Sequence, residues 1–217
     1  MQVSDIMTPS VITINENQSL LEVRELMANN NLRRVPVVND IGCLKGIVTD
    51  GDVSRSAPSD ASTLSKYEAN YLLGKLKVKD IMKKAVVTVK KNDAIETVAY
   101  LLYKNKIGAI PVIDENSKVC GIVSDTDVFK VLVDILGYSQ NSTKISIDAT
   151  DKVGVLADLA DIFKRRGVNI ISVVTRDTGD NTREILIRAD LTNSMDIIEE
   201  IRDAGFQITD ISTLKVQ

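Results

Sequence analysis

The eight residues Gly46-Ile-Val-Thr49-Asp50-Gly-Asp52-Val53 recur as Gly121-Ile-Val-Ser124-Asp125-Thr-Asp127-Val128, 75 positions further along the chain. The same offset aligns Val3, Asp5, Ile6 and Met7 with Val78, Asp80, Ile81 and Met82. It also aligns Val11, Thr13 and Asn17 with Val86, Thr88 and Asn92, then Val23, Leu26 and Asn30 with Val98, Leu101 and Asn105, and Pro36-Val37 with Pro111-Val112. A fixed offset without insertion or deletion means one supersecondary unit used twice. Units of about 55 residues are too small to be secure as separate cores, so the two are expected to pack on each other.

Each copy of the motif reads as a short apolar strand, a turn and a helix start. A hydroxyl (Thr49, Ser124) and a carboxylate three residues on (Asp52, Asp127) sit where strand becomes helix. Two readings stand side by side. The pattern is that of a helix capping box. It also suits a phosphorylated sugar: helix N–H groups meet the anion and the carboxylate accepts from ribose hydroxyls. A single copy favours the cap, whereas recurrence favours a site.

The order Asp-Ile-Met, then Val-x-Thr, an amphipathic helix, Pro-Val, and Gly-Ile-Val-[Ser/Thr]-x-x-Asp resembles the CBS domain, and the tandem resembles a Bateman module. The resemblance implies an adenine nucleotide (AMP, ADP or ATP) in the clefts between the repeats. It gives phosphate and ribose to Thr49, Asp52, Ser124 and Asp127, and the base to Ile12, Thr13, Val87 and Thr88. The position two before the proline faces the cleft in such modules, which singles out Arg34 and Ala109. Arg34 presents a planar fork to an anion; the alternative is a solvated Arg33-Arg34 pair at a strand start. The second copy has Gly108-Ala109 there, so the two clefts are not equivalent.

From Thr143 the pattern changes. Strands at 144–148, 170–176, 184–191 and 206–214, with helices after Gly154 and over 194–204, spell β-α-β-β-α-β, the ferredoxin-like plan. Val155, Leu159, Ala160 and Phe163 are the expected inner face of the first helix. With Asp151-Lys-Val-Gly154-Val-Leu156 at the first turn and Gly167-Val-Asn169-Ile before the second strand, this region resembles an ACT domain. The resemblance implies paired copies with an amino acid or other small effector held by Asp151, Val153, Gly154 and Asn169. The common Arg-Pro of that loop is Lys152-Val153 here. On the residues alone, Asp151 as a helix cap and Gly154 as a packing residue serve equally well.

The expected class is α+β: two CBS repeats packed as a Bateman module plus a ferredoxin-like ACT domain. Expected boundaries are 1–58, a linker and helix at 59–77, 78–137 and 143–217. Leu64, Tyr67, Tyr71, Leu72 and Leu76 share one face of the linking helix, and Tyr-Glu-Ala-Asn-Tyr-Leu-Leu there is similar to acetoin-utilisation CBS–ACT proteins. Val128, Val131, Leu132, Ile135 and Leu136 form a stripe that is either core or a dimer seam. The tether from Gly137 to Ser142 is short enough to couple the two sensors, and a flexible insertion after Ser139 should break such coupling.

Composition narrows the functions. The chain has no histidine, the commonest general base and metal ligand, and Cys43 and Cys120 do not occupy corresponding positions. A net charge of −3 argues against a nucleic-acid binder. No apolar run suits a membrane and no signal peptide is visible, so a cytoplasmic homodimer without metal or cofactor is expected. The leading function is a non-catalytic regulatory sensor of an adenine nucleotide and an amino acid or small effector, acting on an unknown partner protein; the alternative is a structural dimerisation module with empty clefts that scaffolds a partner enzyme.

Overall fold

The computed structural model describes residues 1–57, 65–138, 140–191 and 195–215. The expected linker residues 58–64, with Pro58 and Leu64, and Ser139 and Ser194 lie outside them. The chain divides into two compact units, Met1–Val128 and Phe129–Gln217.

In the first unit a 3-10 turn at Val3–Asp5 precedes β1 (Thr8–Pro9), β2 (Ile14–Asn15), α1 (Leu20–Asn30), β3 (Arg34–Val38), β4 (Leu44–Thr49) and α2 (Asp50–Ser56). Next come α3 (Lys66–Lys75), α4 (Val78–Ile81), α5 (Ile95–Asn105), β5 (Ala109–Ile113), β6 (Val119–Ser124) and the start of α6 (Asp125–Ile135). The sheets run β2-β3-β4 and β1-β6-β5. Each is built on an antiparallel hairpin, with the register shift at matching places, Val37/Val38 and Val112/Ile113.

The leading segment of each repeat crosses to the other. β1 pairs with β6 of the second repeat, Thr8 opposite Ile122. Its counterpart is the bridge between Lys83 and Ile47. Gln2 bridges Ala94 as Lys77 bridges Ser19, and Cys43 bridges Lys118, its own counterpart. The cores are exchanged in the same way. Val78 is buried with Ile14, Leu20, Val23, Val35, Val37, Val48 and Leu73, while Val3 is buried with Val89, Val98, Leu102, Ile110, Val112 and Val123. Ile81 and Met82 pack on the first cluster, Ile6 and Met7 on the second. The motif glycines permit this: a Cβ on Gly46 would lie 2.5 Å from Met82 Sδ, and one on Gly121 2.7 Å from Met7 Sδ.

Several local expectations change. Val11-Ile-Thr-Ile14 reads as a short strand in sequence, but the strand formed is the two residues Ile14–Asn15. Ser19 caps α1, with Glu22 completing the box. On α3 the buried residue is Leu73, at 1% exposure, whereas Tyr67 and Tyr71 are 88% and 62% exposed. The helix docks on α1 through Leu73 and the Arg24–Asn70 hydrogen bond of 2.9 Å, which leaves its aromatic face outside. On α6, Val131 is buried, but Leu132 and Ile135 stand in solvent beside Phe129 and Val133.

The second unit contains β7 (Ser142–Thr150), α7 (Val155–Arg165), β8 (Ile170–Gly179), β9 (Thr182–Ala189), α8 (Ile197–Asp203) and β10 (Gln207–Leu214). The antiparallel order β10-β7-β9-β8 is the ferredoxin-like plan. Asp180 and Asn181, both with positive φ, turn the β8–β9 hairpin as a right-twisted pair demands. α7 buries Val155, Leu159, Ile162 and Phe163 against Ile145, Ile147, Ile185 and Ile187; Ala160, expected inside, is exposed, and Ile162 takes the stripe.

Two measurements follow from these exchanges and caps. Val78→Ala should cost on the order of 2 kcal/mol, and because Val78 completes the first repeat's core, urea unfolding of Met1–Val128 should remain one transition by fluorescence and circular dichroism. Separate melting of the repeats would contradict the exchange. Glu22 accepts from the Ser19 N–H at 2.6 Å and the Ser19 hydroxyl at 2.7 Å. These bonds, the backbone one foremost, lower its carboxyl from 4.5 to about 2. The folded state thus holds that proton less tightly than the unfolded one, so the cap's contribution is complete above pH 4.5 and is lost as pH falls toward about 2. Glu22→Gln should flatten the acid limb of stability against pH; an unchanged slope would count against the cap.

Candidate functional site

β4 runs into α2, and β3 lies antiparallel to β4 with Arg34 directly opposite Thr49. Paired residues project to one face of a sheet. The second repeat contributes residues 83–87 and the α5–β5 turn, and together they enclose a cavity of about 470 Å³. Its lining brings together Arg34, Thr49, Asp52, Val87 and Ala109 of the expected residues. It adds Ile47, Asp50, Lys83, Ala85, Val86, Asn105, Lys106, Ile107 and Gly108. Thr88 follows Val87 but is not part of this lining. Ser124 and Asp127 stand at the start of α6, with Ser124 opposite Ala109, on the symmetry-related side. Ile12 and Thr13, which lie between β1 and β2, are likewise outside the cavity.

The hydroxyl–carboxylate pairs are helix caps. Asp52 Oδ2 accepts from the Thr49 N–H at 3.0 Å and its hydroxyl at 2.7 Å, and Thr49 Oγ1 accepts from the Asp52 N–H at 3.2 Å. Ser124 and Asp127 repeat this at 2.8, 2.7 and 3.3 Å. Burial raises the Asp52 carboxyl, but the Thr49 bonds and the Arg55 guanidinium outweigh it and hold the group below the usual range. Amide protons expected to meet an anion are taken: Gly51 N–H donates to Asp50 Oδ1 and Thr126 N–H to Asp125 Oδ1, each at 2.8 Å. The arrangement therefore offers carboxylate and hydroxyl oxygens at one end of the cleft, but few free N–H groups.

Positive charge comes instead from side chains. Arg34, Lys83 and Lys106 converge on the cavity, and none pairs with a carboxylate among the described residues. The Arg34 guanidinium lies against Gly108, where any Cβ would collide with Nη2. Neither lysine is evident from the motif. Their one signal is that they break the repeat: Lys83 stands where the first copy has Thr8, and Lys106 where it has Asn31.

In the second unit Asp151 and Gly154 border a smaller pocket of about 300 Å³ with Thr150, Lys152, Leu156, Arg183 and Ile185. Gly154, with φ of +97°, is the N-cap of α7, and Asp151 instead pairs with Arg183 at 3.0 Å. Buried Nε of Arg183 has no partner among the described residues. Val153 is wholly exposed, and Asn169, exposed before β8, does not join this pocket. A larger open groove of about 840 Å³ lies by α7 and α8, where Arg165 is already paired with Asp161 and Glu200. Both cysteines are free thiols. Among the described residues no helix is long and apolar enough to cross a membrane, and no cluster of metal-ligating side chains occurs.

Comparison with known proteins places this geometry. The CBS domain model matches residues 3–59 and 78–134, more than half of the chain, and the ACT domain model matches 143–206. Protein MJ1225 of Methanocaldococcus jannaschii is 34% identical over 129 residues, 59% of this chain and 46% of that protein. The homoserine O-acetyltransferase of Methanosalsum zhilinae is 33% identical over 130 residues, 60% of this chain and 24% of the enzyme. The chain thus spans half or less of these curated relatives. Among solved structures, the CBS domain pair of protein MJ0100, in complex with 5-methylthioadenosine and S-adenosyl-L-methionine, is 26% identical with a TM-score of 0.51, covering 61% of this chain and 99% of that one. CBSX2 in complex with AMP gives 26% and 0.51, covering 61% and 96%. AcuB from Vibrio cholerae, assigned to acetoin utilization, gives 25% and 0.52, covering 63% and 93%. On the family matches and the exchanged repeats together, the chain belongs to the CBS domain family, as a tandem CBS pair followed by an ACT domain.

Proposed function

We propose that this chain is a non-catalytic regulatory sensor that binds an adenine nucleotide (AMP, ADP or ATP) in the cleft between its CBS repeats. The observation that carries the reading is the cavity itself: apolar walls from Ile47, Val86, Val87 and Ile107, with Arg34, Thr49 and Asp52 at its polar end. Apolar walls with a few convergent polar groups are what a nucleoside site requires. The complexes of the MJ0100 pair and of CBSX2 hold adenosine compounds and support the same class of ligand here. An acid–base or nucleophilic constellation is not needed to explain any side chain in the cavity. The acetyltransferase relative, of which the matched region is 24%, has ample chain elsewhere for its chemistry.

The ACT unit is the candidate second sensor. Arg183, held by Asp151 beside the Gly154 turn, offers a guanidinium to the carboxylate of an amino acid or similar effector. Pairing of two chains is the expected setting, because β8 and β10 are open sheet edges and Phe129, Leu132 and Ile135 are exposed on α6. A role in acetoin utilization rests on the likeness to AcuB. A scaffold with empty clefts is the reading that remains if no ligand binds.

Calorimetry should show an adenosine ligand bound below millimolar concentration. Asp52→Ala should weaken it by on the order of 1.5–3 kcal/mol, whereas Glu22→Ala, which breaks the equivalent cap on α1 away from the cavity, should leave affinity unchanged. Equal losses would make the effect one of capping. Light scattering across micromolar concentrations should give the mass of a dimer; a monomer throughout would contradict the pairing.

A further inference from the structure

Every residue lining the cavity between the repeats has a counterpart 75 positions away, yet the charges at the counterparts differ. We propose that the cleft carrying Arg34, Lys83 and Lys106 is built for a polyphosphate, a nucleoside di- or triphosphate, whereas its twin is not. The proposal rests on the nucleotide reading and names the ligand class of one cleft.

Equivalence of the two sites is structural. Lys83 is fixed to the lip of its cleft by two hydrogen bonds with Ile47, N–H to carbonyl at 2.9 and 3.0 Å. On the other side Thr8 occupies the same station opposite Ile122. Lys106 and Asn31 both terminate their helices in the left-handed conformation, at φ of 51° and 52°. Asparagine is at home there, whereas lysine is uncommon. The helix end sets Lys106 on the lining of the cavity, where its counterpart Asn31 carries no charge. Arg34 completes the set, reaching across to Gly108 of the second repeat.

The balance of charge follows. Around the first cavity three cations face Asp50 and Asp52, with the Asp125 carboxylate also close to Gly108, and Asp52 is paired with Arg55. At the counterpart positions neutral Thr8, Asn31 and Ala109 replace Lys83, Lys106 and Arg34, Arg33 takes the place of Gly108, and Asp125 and Asp127 remain, so apart from Arg34 itself one cation stands where the first cavity has three. With the cap amides occupied, charge for a phosphate chain must come from side chains, and only the first cleft has the two lysines. A polyphosphate carries three to four negative charges, enough to engage all three cations, whereas adenosine engages none.

Calorimetry on the full chain with adenosine, AMP, ADP, ATP and inorganic tripolyphosphate tests this, using wild type and Lys83→Ala/Lys106→Ala. Both lysines are exposed, and the variant's fold is checked by its unfolding midpoint. ATP and ADP should bind the wild type more tightly than AMP or adenosine. The double variant should lose roughly tenfold or more in ATP affinity, with adenosine affinity within twofold of wild type. Equal affinities across the adenosine series, or ATP affinity unchanged in the variant, would overturn the polyphosphate assignment and leave the nucleotide reading standing. Tripolyphosphate bound through the lysines without any adenosine compound binding would instead sink the nucleoside reading and keep the anion site. Binding of nothing in the set would overturn both.

Discussion

The structure of the first unit depends on the reciprocal exchange of its leading segments. Val3 and Val78 are fully buried, each in the core of the repeat it does not precede. Neither half can close without the other, so a pair of sub-cores too small to be stable singly becomes one cooperative body. The methionines of the two Asp-Ile-Met segments are then pressed onto β4 and β6, and glycine is the residue that lets them approach. The same exchange makes the cleft. Lys83 reaches the cavity wall of the first repeat because its backbone is bridged to Ile47, not because it is near in sequence.

The cap and the cleft share atoms. The chain uses the same box at Ser19–Glu22, Thr49–Asp52 and Ser65–Glu68, and the same side-chain bonds at Ser124–Asp127. Two of the four lie away from the cavity and use Glu; the two at the strand-to-helix turns use the shorter Asp. In each case the carboxylate accepts two bonds from the hydroxyl residue, which offsets its desolvation where it is partly buried. A ligand at Thr49 and Asp52 must therefore compete with bonds already made. At that end an external donor would have to exchange with these internal ones.

Much of this was legible in the sequence because repetition and periodicity are direct images of packing. The 75-residue offset located both sub-cores, and the switch from period 3.6 to period 2 after Ser142 marked the four-stranded sheet. What stayed hidden depends on which side of an amphipathic element finds a neighbour. α3 has apolar residues on more than one face, and only the partner helix α1 selects Leu73 over Tyr67 and Tyr71. On α7 the choice of Ile162 over Ala160 is a matter of one residue's rotation about the helix, settled by the sheet beneath. The cationic lining was invisible for a different reason: Lys83 and Lys106 belong to no motif, and their convergence with Arg34 exists only once the segments are exchanged.

A steric condition underlies the inequality of the clefts. The guanidinium of Arg34 fills space that any side chain at residue 108 would need, so its reach across the repeat boundary requires glycine there. The repeat partner of Gly108 is Arg33, and that of Arg34 is Ala109. An arginine at 109 could not lie in the mirrored way, because residue 33 already carries a side chain where 108 has none. The contact of Arg34 with Gly108 therefore has no counterpart at Ala109 and Arg33, and Lys83 and Lys106 line the same cavity as the arginine.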